Sequence, residues 1–257
     1  MANRLNLPPL VVQLMALAFF CQLPTAPLSG QILMALLFGD KLNSEKLDFG
    51  LTVGGNFSTL SGDLDASFSR GLNLGLYFNL KLGERWYLHP AAIPKSTLGA
   101  RGIAPYDLGD ATLDSLFSDG TIERRINYVN VPVLIRYQLP AGLGFETGPQ
   151  PSLRLSATDL FRKDRTDEEE LELKRNLRKA TNPLEFGWVW GTYYRLGKTQ
   201  KGLTINLRYV LGLTRVFKGG DERFPPQKNQ LIQLLVGIPI GNAGGAVPPD
   251  PGASKDE

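Results

Sequence analysis

The chain has 257 residues, 42% of them hydrophobic and 21% charged, with a formal charge of +3 from 28 Lys+Arg and 25 Asp+Glu. That near-balance gives no electrostatic case for a nucleic-acid partner, and no unbroken apolar run reaches the roughly 18 residues of a spanning helix. The single cysteine, Cys21, excludes an intramolecular disulfide and a Cys-based zinc site, while 28 Gly and 18 Pro favour strands and turns over long helices.

Residues 1–30 have the layout of an export signal. Arg4 supplies a thin basic start, residues 10–21 (LVVQLMALAFFC) form an apolar core, and Pro24 and Pro27 break it before a Leu28-Ser29-Gly30 cleavage sequence. Phe20, bulky where lipoprotein processing wants a small residue, argues against lipidation of Cys21. Residues 31–46 form a short N-terminal segment whose apolar part, 32–38 (ILMALLF), is too short to cross a bilayer as a helix. A remnant of the signal, an interfacial helix and a segment against a barrel mouth all remain open for it.

From Leu47 a period-two pattern begins, and it recurs in eight stretches up to Ile240. Residues 202–214 (GLTINLRYVLGLT) show it best: Leu203, Ile205, Leu207, Tyr209, Leu211 and Leu213 fall on one face, and Thr204, Asn206, Arg208, Val210 and Gly212 on the other. Its length exceeds the ~5–6 residues of an ordinary strand and suits the ~9–11 of a tilted membrane strand. The other stretches begin near Leu47, Leu72, Trp86, Asn127, Leu143, Phe186 and Gln230; the third, 86–100, is blurred by Pro90 and Pro94.

The connections alternate in length. Residues 83–85, 140–141 and 197–201 are short, whereas 61–70, 102–125, 158–182 and 215–227 are long. Short turns at one rim and long loops at the other mark a bacterial outer-membrane barrel with periplasmic turns. The expected fold is all-β: an eight-stranded antiparallel up-and-down transmembrane barrel over residues 47–240, followed by a disordered tail, 241–257.

A soluble lipocalin-like barrel, apolar face inward around a small ligand, would alternate in the same way. Glycine placement decides between them. Gly50, Gly54, Gly75, Gly144, Gly148, Gly187, Gly191, Gly212 and Gly237 share the polar face, where a narrow barrel interior needs small residues. The apolar face therefore meets lipid. On it, Trp86, Tyr137, Trp188, Trp190, Tyr194 and Tyr209 suit the membrane-interface aromatic girdles.

Short motifs add a resemblance. Asp48-Phe49-Gly50-Leu51 with Gly54-Gly55-Asn56-Phe57-Ser58, Asn127-Tyr128 with Val131-Pro132, Glu146-Thr147-Gly148-Pro149-Gln150, Glu185-Phe186-Gly187, and Arg208-Tyr209 with Gly212-Leu213-Thr214 together resemble the PorT-type outer-membrane β-barrel family of the Bacteroidetes. The resemblance covers residues 47–240 and implies an exported protein of the Gram-negative outer membrane. It departs at Ala91, where a polar residue is expected, and in the 241–257 tail.

The inner face would carry a charge network of Asp48, Lys95, Arg136, Glu146, Arg154, Glu185, Arg195 and Arg208. Charges in so narrow a lumen must be paired, since an unpaired one costs several kcal/mol. A salt-bridged plug is the reading that eight strands favour, with a narrow solute or ion channel as its alternative. No catalytic, cofactor or metal motif is present; His89, the only histidine, reads as a structural residue, which leaves a surface enzyme as a distant alternative. In the loop 158–182, acidic Asp167 to Glu170 precede basic Lys174, Arg175, Arg178 and Lys179, an order that suits a short surface helix; a solvated, variable loop is the plain reading, and a contact with lipopolysaccharide phosphates or a protein partner the functional alternative. The expected protein is a monomeric barrel with a non-enzymatic structural or interaction role, its contacts being outer-membrane lipid and a partner reached through the loops.

Overall fold

The computed structural model describes residues 47–62, 66–166, 169–197 and 202–240. The expected export signal, the 31–46 segment with its apolar run, the tail, and the side chains of residues 164–170 lie outside the described residues. In chain order the elements are β1 (Leu47–Leu60), β2 (Ser67–Lys81), β3 (Trp86–Ile103), α1 (Ala111–Phe117), β4 (Thr121–Asn130), β5 (Val133–Gln138), β6 (Leu143–Thr166), β7 (Glu169–Asn176), β8 (Leu184–Arg195), β9 (Thr204–Gly212) and β10 (Asn229–Pro239). All pairings are antiparallel, and the sheet closes on itself, because β2 pairs with both β1 and β3 at opposite ends of the strand order.

The wall is a ring of eight strands. β4 and β5 count as one: Pro132, which has no N–H to give, interrupts the ladder, and its carbonyl instead accepts from Ala91 N at 2.9 Å. β7 adds no wall position; it pairs only with the upper half of β6. The strands alternate in burial as the sequence pattern requires. On β9, Ile205, Leu207 and Tyr209 are exposed while Thr204, Asn206 and Arg208 are buried. Exposed large apolar residues ring the outside, among them Phe57, Leu72, Phe145, Leu153, Trp190 and Leu234. A belt of this extent is the surface of a protein solvated by lipid, and it rules out the inside-out lipocalin arrangement.

Inward glycines make room for rings. A Cβ on Gly50 would lie 2.5 Å from the Tyr77 ring, and one on Gly144 would lie 2.4 Å from that of Tyr193. Gly55, on the outer face, meets nothing closer than 3.6 Å.

Two expectations need correction. The 158–182 stretch does not form a surface helix: β6 runs on to Thr166 and pairs with β7 as a hairpin, Thr158 opposite Asn176 through Thr166 opposite Glu169. The reason is a period of two in 171–174, where Leu171 and Leu173 turn toward the buried cluster and Glu172 and Lys174 face away. Charge order along a helix dipole is a smaller effect than continuing a formed ladder. The 102–125 connection is also shorter than expected, 104–120, and holds α1, whose N-cap Asp110 accepts from Thr112 N and Leu113 N at 2.9 and 3.3 Å. Among the described residues no helix is long and apolar enough to cross a membrane.

A closed wall of this kind resists detergent. Unboiled protein from the outer-membrane fraction is expected to migrate faster in electrophoresis than boiled protein; identical migration would contradict the closed ring.

Candidate functional site

The lumen is filled by two clusters, one at mid-wall and one at the outer end. The mid-wall cluster follows the register. Arg136, Glu146, Gly191 and Arg208 are successive partners across β5, β6, β8 and β9. Glu146 lies between the two arginines, accepting from Arg136 Nε at 2.7 Å through Oε2 and from Arg208 Nε at 2.5 Å through Oε1. It reaches Arg208 over Gly191, where a Cβ would come within 3.0 Å of its Cγ and Oε1. Arg136 also donates to Asn206 Oδ1 at 2.7 Å and Asn79 Oδ1 at 3.2 Å, and its guanidinium lies 4.5 Å from the centre of the Tyr193 ring.

His89 completes this layer. Arg208 Nη2 lies 3.2 Å from His89 Nε2, and a guanidinium can only donate, so Nε2 accepts and the ring proton is assigned to Nδ1. Nδ1 then donates to Asn79 Oδ1 at 2.6 Å. The imidazole is neutral, fixed at both nitrogens and 3% exposed. It is held as a spacer between two cations rather than poised beside a nucleophile.

The other sequence-derived charges divide. Arg195 is buried, 5.4 Å from the Tyr87 ring centre, below the mid-wall layer. Glu185 lies above it, bonded to the Tyr128 hydroxyl and accepting from Asn229 Nδ2 at 2.7 Å, so that it ties β8 across the lumen to β4 and β10. Arg154 donates to the Asn182 carbonyl at 3.2 Å and contributes to the electrostatics of Glu185. Asp48 is half-buried opposite Asn79 at the short-turn end. Lys95 is not lumenal. Three β3 steps from Ile93 to Ser96 oppose two on β4, and this bulge at Pro94 reverses the parity of the strand. Ser96 turns inward, and Lys95 is exposed on the outer face beside Leu74.

The outer-end cluster was invisible to the sequence pattern because both its charged members fell in stretches taken as loops. Arg124 on β4 and Asp159 on β6 are direct partners, joined by Nε–Oδ1 at 2.8 Å and Nη2–Oδ2 at 2.7 Å, with Arg124 2% and Asp159 0% exposed. Arg124 Nη1 donates to Gln227 Oε1 at 3.2 Å, and Phe217 and Phe224 cover the guanidinium at 4.7 and 5.5 Å. Phe161 and Phe224 hold Tyr106 edge-on, and Phe117 brings α1 down onto Phe161. Burial, and then the nearby Asp159 charge, push the Tyr106 phenol above its ordinary range. The signal available in sequence was that Ile122, Arg124 and Ile126 continue the inward alternation of Tyr128 above the expected strand start.

The six aromatics all lie on the outer face or its edge. Trp86 and Tyr137 pack with tilted rings, centroids 4.8 Å apart, on the short-turn rim, and Tyr194 is exposed at the same end of β8. Trp190 and Tyr209 are cross-strand partners part-way up the wall, with Trp188 beside them donating to Thr147 Oγ1 at 2.9 Å. The girdle is therefore a rim of three and a higher patch of three. Among the described residues no group of three or more His, Cys, Asp or Glu could hold a metal ion.

A family model described as outer membrane protein beta-barrel domain matches residues 38–218. No curated protein matches the sequence. Among solved structures, the chain is similar to the attachment invasion locus protein Ail of Yersinia pestis, at 11% identity over 77% of this chain and 100% of that one, TM-score 0.40. Neisserial surface protein A shows 9% identity over 77% and 100%, TM-score 0.40. OprG of Pseudomonas aeruginosa shows 14% over 76% and 91%, TM-score 0.31.

Removing one partner of a dry, bidentate pair leaves the other charge uncompensated, at about 3–5 kcal/mol. Arg124→Ala is expected to lower unfolding stability in urea by that amount, followed by tryptophan fluorescence, and Arg136→Ala by less, because Glu146 keeps both its bonds to Arg208. The double change Arg124→Met/Asp159→Leu is expected to recover most of the loss, because neither charge then remains.

Proposed function

Since the chain belongs to the outer membrane protein beta-barrel domain family, we propose that it is a closed barrel with a non-enzymatic structural or interaction role, presented outward by its long loops. The protein resides in the Gram-negative outer membrane. The observation that supports a closed lumen is the pair of filled layers, Arg136–Glu146–Arg208 at mid-wall and Arg124–Asp159 under its phenylalanines at the outer end. A charged path for ions needs water beside the charges, and here their donors and acceptors are spent on one another.

Within the family, the Asp48-Phe49-Gly50, Asn127-Tyr128, Glu146 to Gln150 and Arg208-Tyr209 motifs support the PorT-type group of the Bacteroidetes. Residues 1–30 act as the export signal, 31–46 as a short periplasmic or interfacial segment, and 241–257 as a tail. An enzyme is disfavoured by His89, whose two ring nitrogens are already engaged by Asn79 and Arg208.

Planar-bilayer recording tests the closed lumen. The purified wild type and Arg136→Ala are both expected to give no stepwise current above the lipid baseline. Reproducible unit steps from the wild type would transfer the reading to a narrow solute or ion channel.

A further inference from the structure

The outward position of Lys95 exposes a pattern on the lipid side. Along the outer face the continuous apolar rows end at Leu72 on β2, Val129 on β4 and Leu155 on β6; Phe68 is an isolated exposed ring above them, and Lys95 on β3 stands level with Leu74. The next outward positions are polar. Arg70 follows Leu72, and a hydrogen-bonded row runs from Thr97 Oγ1 to Asn127 Oδ1 at 2.7 Å and from Asn127 Nδ2 to Ser156 Oγ at 2.8 Å. Higher still, Glu123 holds three guanidinium groups together: Arg101 at 3.1 Å, Arg125 at 2.8 Å and Arg162 at 3.3 Å.

That carboxylate does not neutralise the sector. Among the described residues, Arg70, Lys95, Arg101, Arg125, Arg162 and Lys174 face it or its boundary, against Glu123 and Glu172. Glu123 is 7% exposed at its side chain, while Arg101 and Arg125 remain 47% and 44% exposed. Arg101 gives Glu123 only its Nε, so both its Nη groups remain for a ligand. Arg70 and Lys95 have no ion pair among the described residues. The charge is also one-sided: outward positions of β1, β8, β9 and β10 carry no Lys or Arg among the described residues.

We propose that the β2–β3–β4–β6 sector binds the phosphate groups of a phosphorylated lipid of the outer leaflet, Lys95 at the acyl boundary and Arg101, Arg125 and Arg162 above it. The chemistry is specific in three ways. Guanidinium forks match phosphate oxygens bidentately, and Glu123 pre-organises them so that less side-chain freedom is lost on binding. A lysine at the top of an apolar band keeps its stem in hydrocarbon and its ammonium among headgroups. The cations begin where the apolar wall, roughly 25 Å tall in such barrels, gives way to headgroups, which is where lipid phosphates lie. The inference deepens the interaction role proposed above; it rests on the barrel's orientation in the membrane and not on the lumen being closed.

The test is lipid retention, read by native mass spectrometry of the full-length barrel extracted from nanodiscs. The discs contain either diphosphorylated lipid A or the same acylated disaccharide without phosphates. The variant is Arg70→Gln/Lys95→Gln/Arg101→Gln, which leaves Arg125 and Arg162 on Glu123, and its unboiled gel mobility reports folding. The wild type is expected to retain the phosphorylated lipid about tenfold over the dephosphorylated one, and the variant to fall to the lower level. Equal retention of both lipids by the wild type, or undiminished retention by the variant, would overturn the proposal. Displacement by millimolar inorganic phosphate would assign the site to soluble anions and overturn it equally. Should the triple variant not fold, Lys95→Gln alone is expected to lower retention, and unchanged retention overturns the proposal. A conducting lumen would leave each of these outcomes as it is.

Discussion

A wall of eight strands has lipid on one side and, on the other, a bore too narrow for bulk water. An inward charge is therefore costly unless it is paired, and an outward group must suit hydrocarbon or headgroup. Glu146 meets the first demand by bonding two arginines at once, over the gap left by Gly191. Arg124 meets it by spending its guanidinium on Asp159, Gln227 and the faces of Phe217 and Phe224. The exposed Leu, Ile, Phe and Trp residues of the outer face meet the second.

The two buried clusters do different physical work. The mid-wall cluster joins β3, β5, β6 and β9 through side chains alone, so it locks strands that are not all neighbours in the sheet. The outer cluster joins the loops to the wall: Gln227, Phe217 and Phe224 come from the connection before β10, and Phe117 from α1. The long loops are thereby seated in the barrel mouth at their inner ends, while their outer surfaces stay available.

Strand number, turn asymmetry and facing were legible in sequence because each strand repeats one rule, apolar outward and polar or glycine inward. Arg136, Glu146, Arg208 and Glu185 followed from that rule alone. Lys95 did not, because a single extra residue at Pro94 reverses the parity of β3, and a bulge leaves no mark in a period-two count. The β6–β7 hairpin was hidden by its charge order, which imitates a helix, although Leu171 and Leu173 kept the strand period. Arg124 and Asp159 were missed because the strands run past the membrane-length estimate, and their pairing depends on a register that only the folded sheet supplies.

The central claim is that water does not enter the lumen, and thiol labelling in native membranes tests it most directly. In a Cys21→Ser background, Ala91→Cys would place a thiol near the mid-wall layer, where the native side chain is 4% exposed, and Ala157→Cys one beneath the outer plug, where it is 1% exposed. The account predicts that a membrane-impermeant maleimide leaves both unreacted from either side, while Leu116→Cys on the exposed face of α1 reacts readily. Labelling of Ala91→Cys or Ala157→Cys at a rate near that of Leu116→Cys would contradict it and show a hydrated bore.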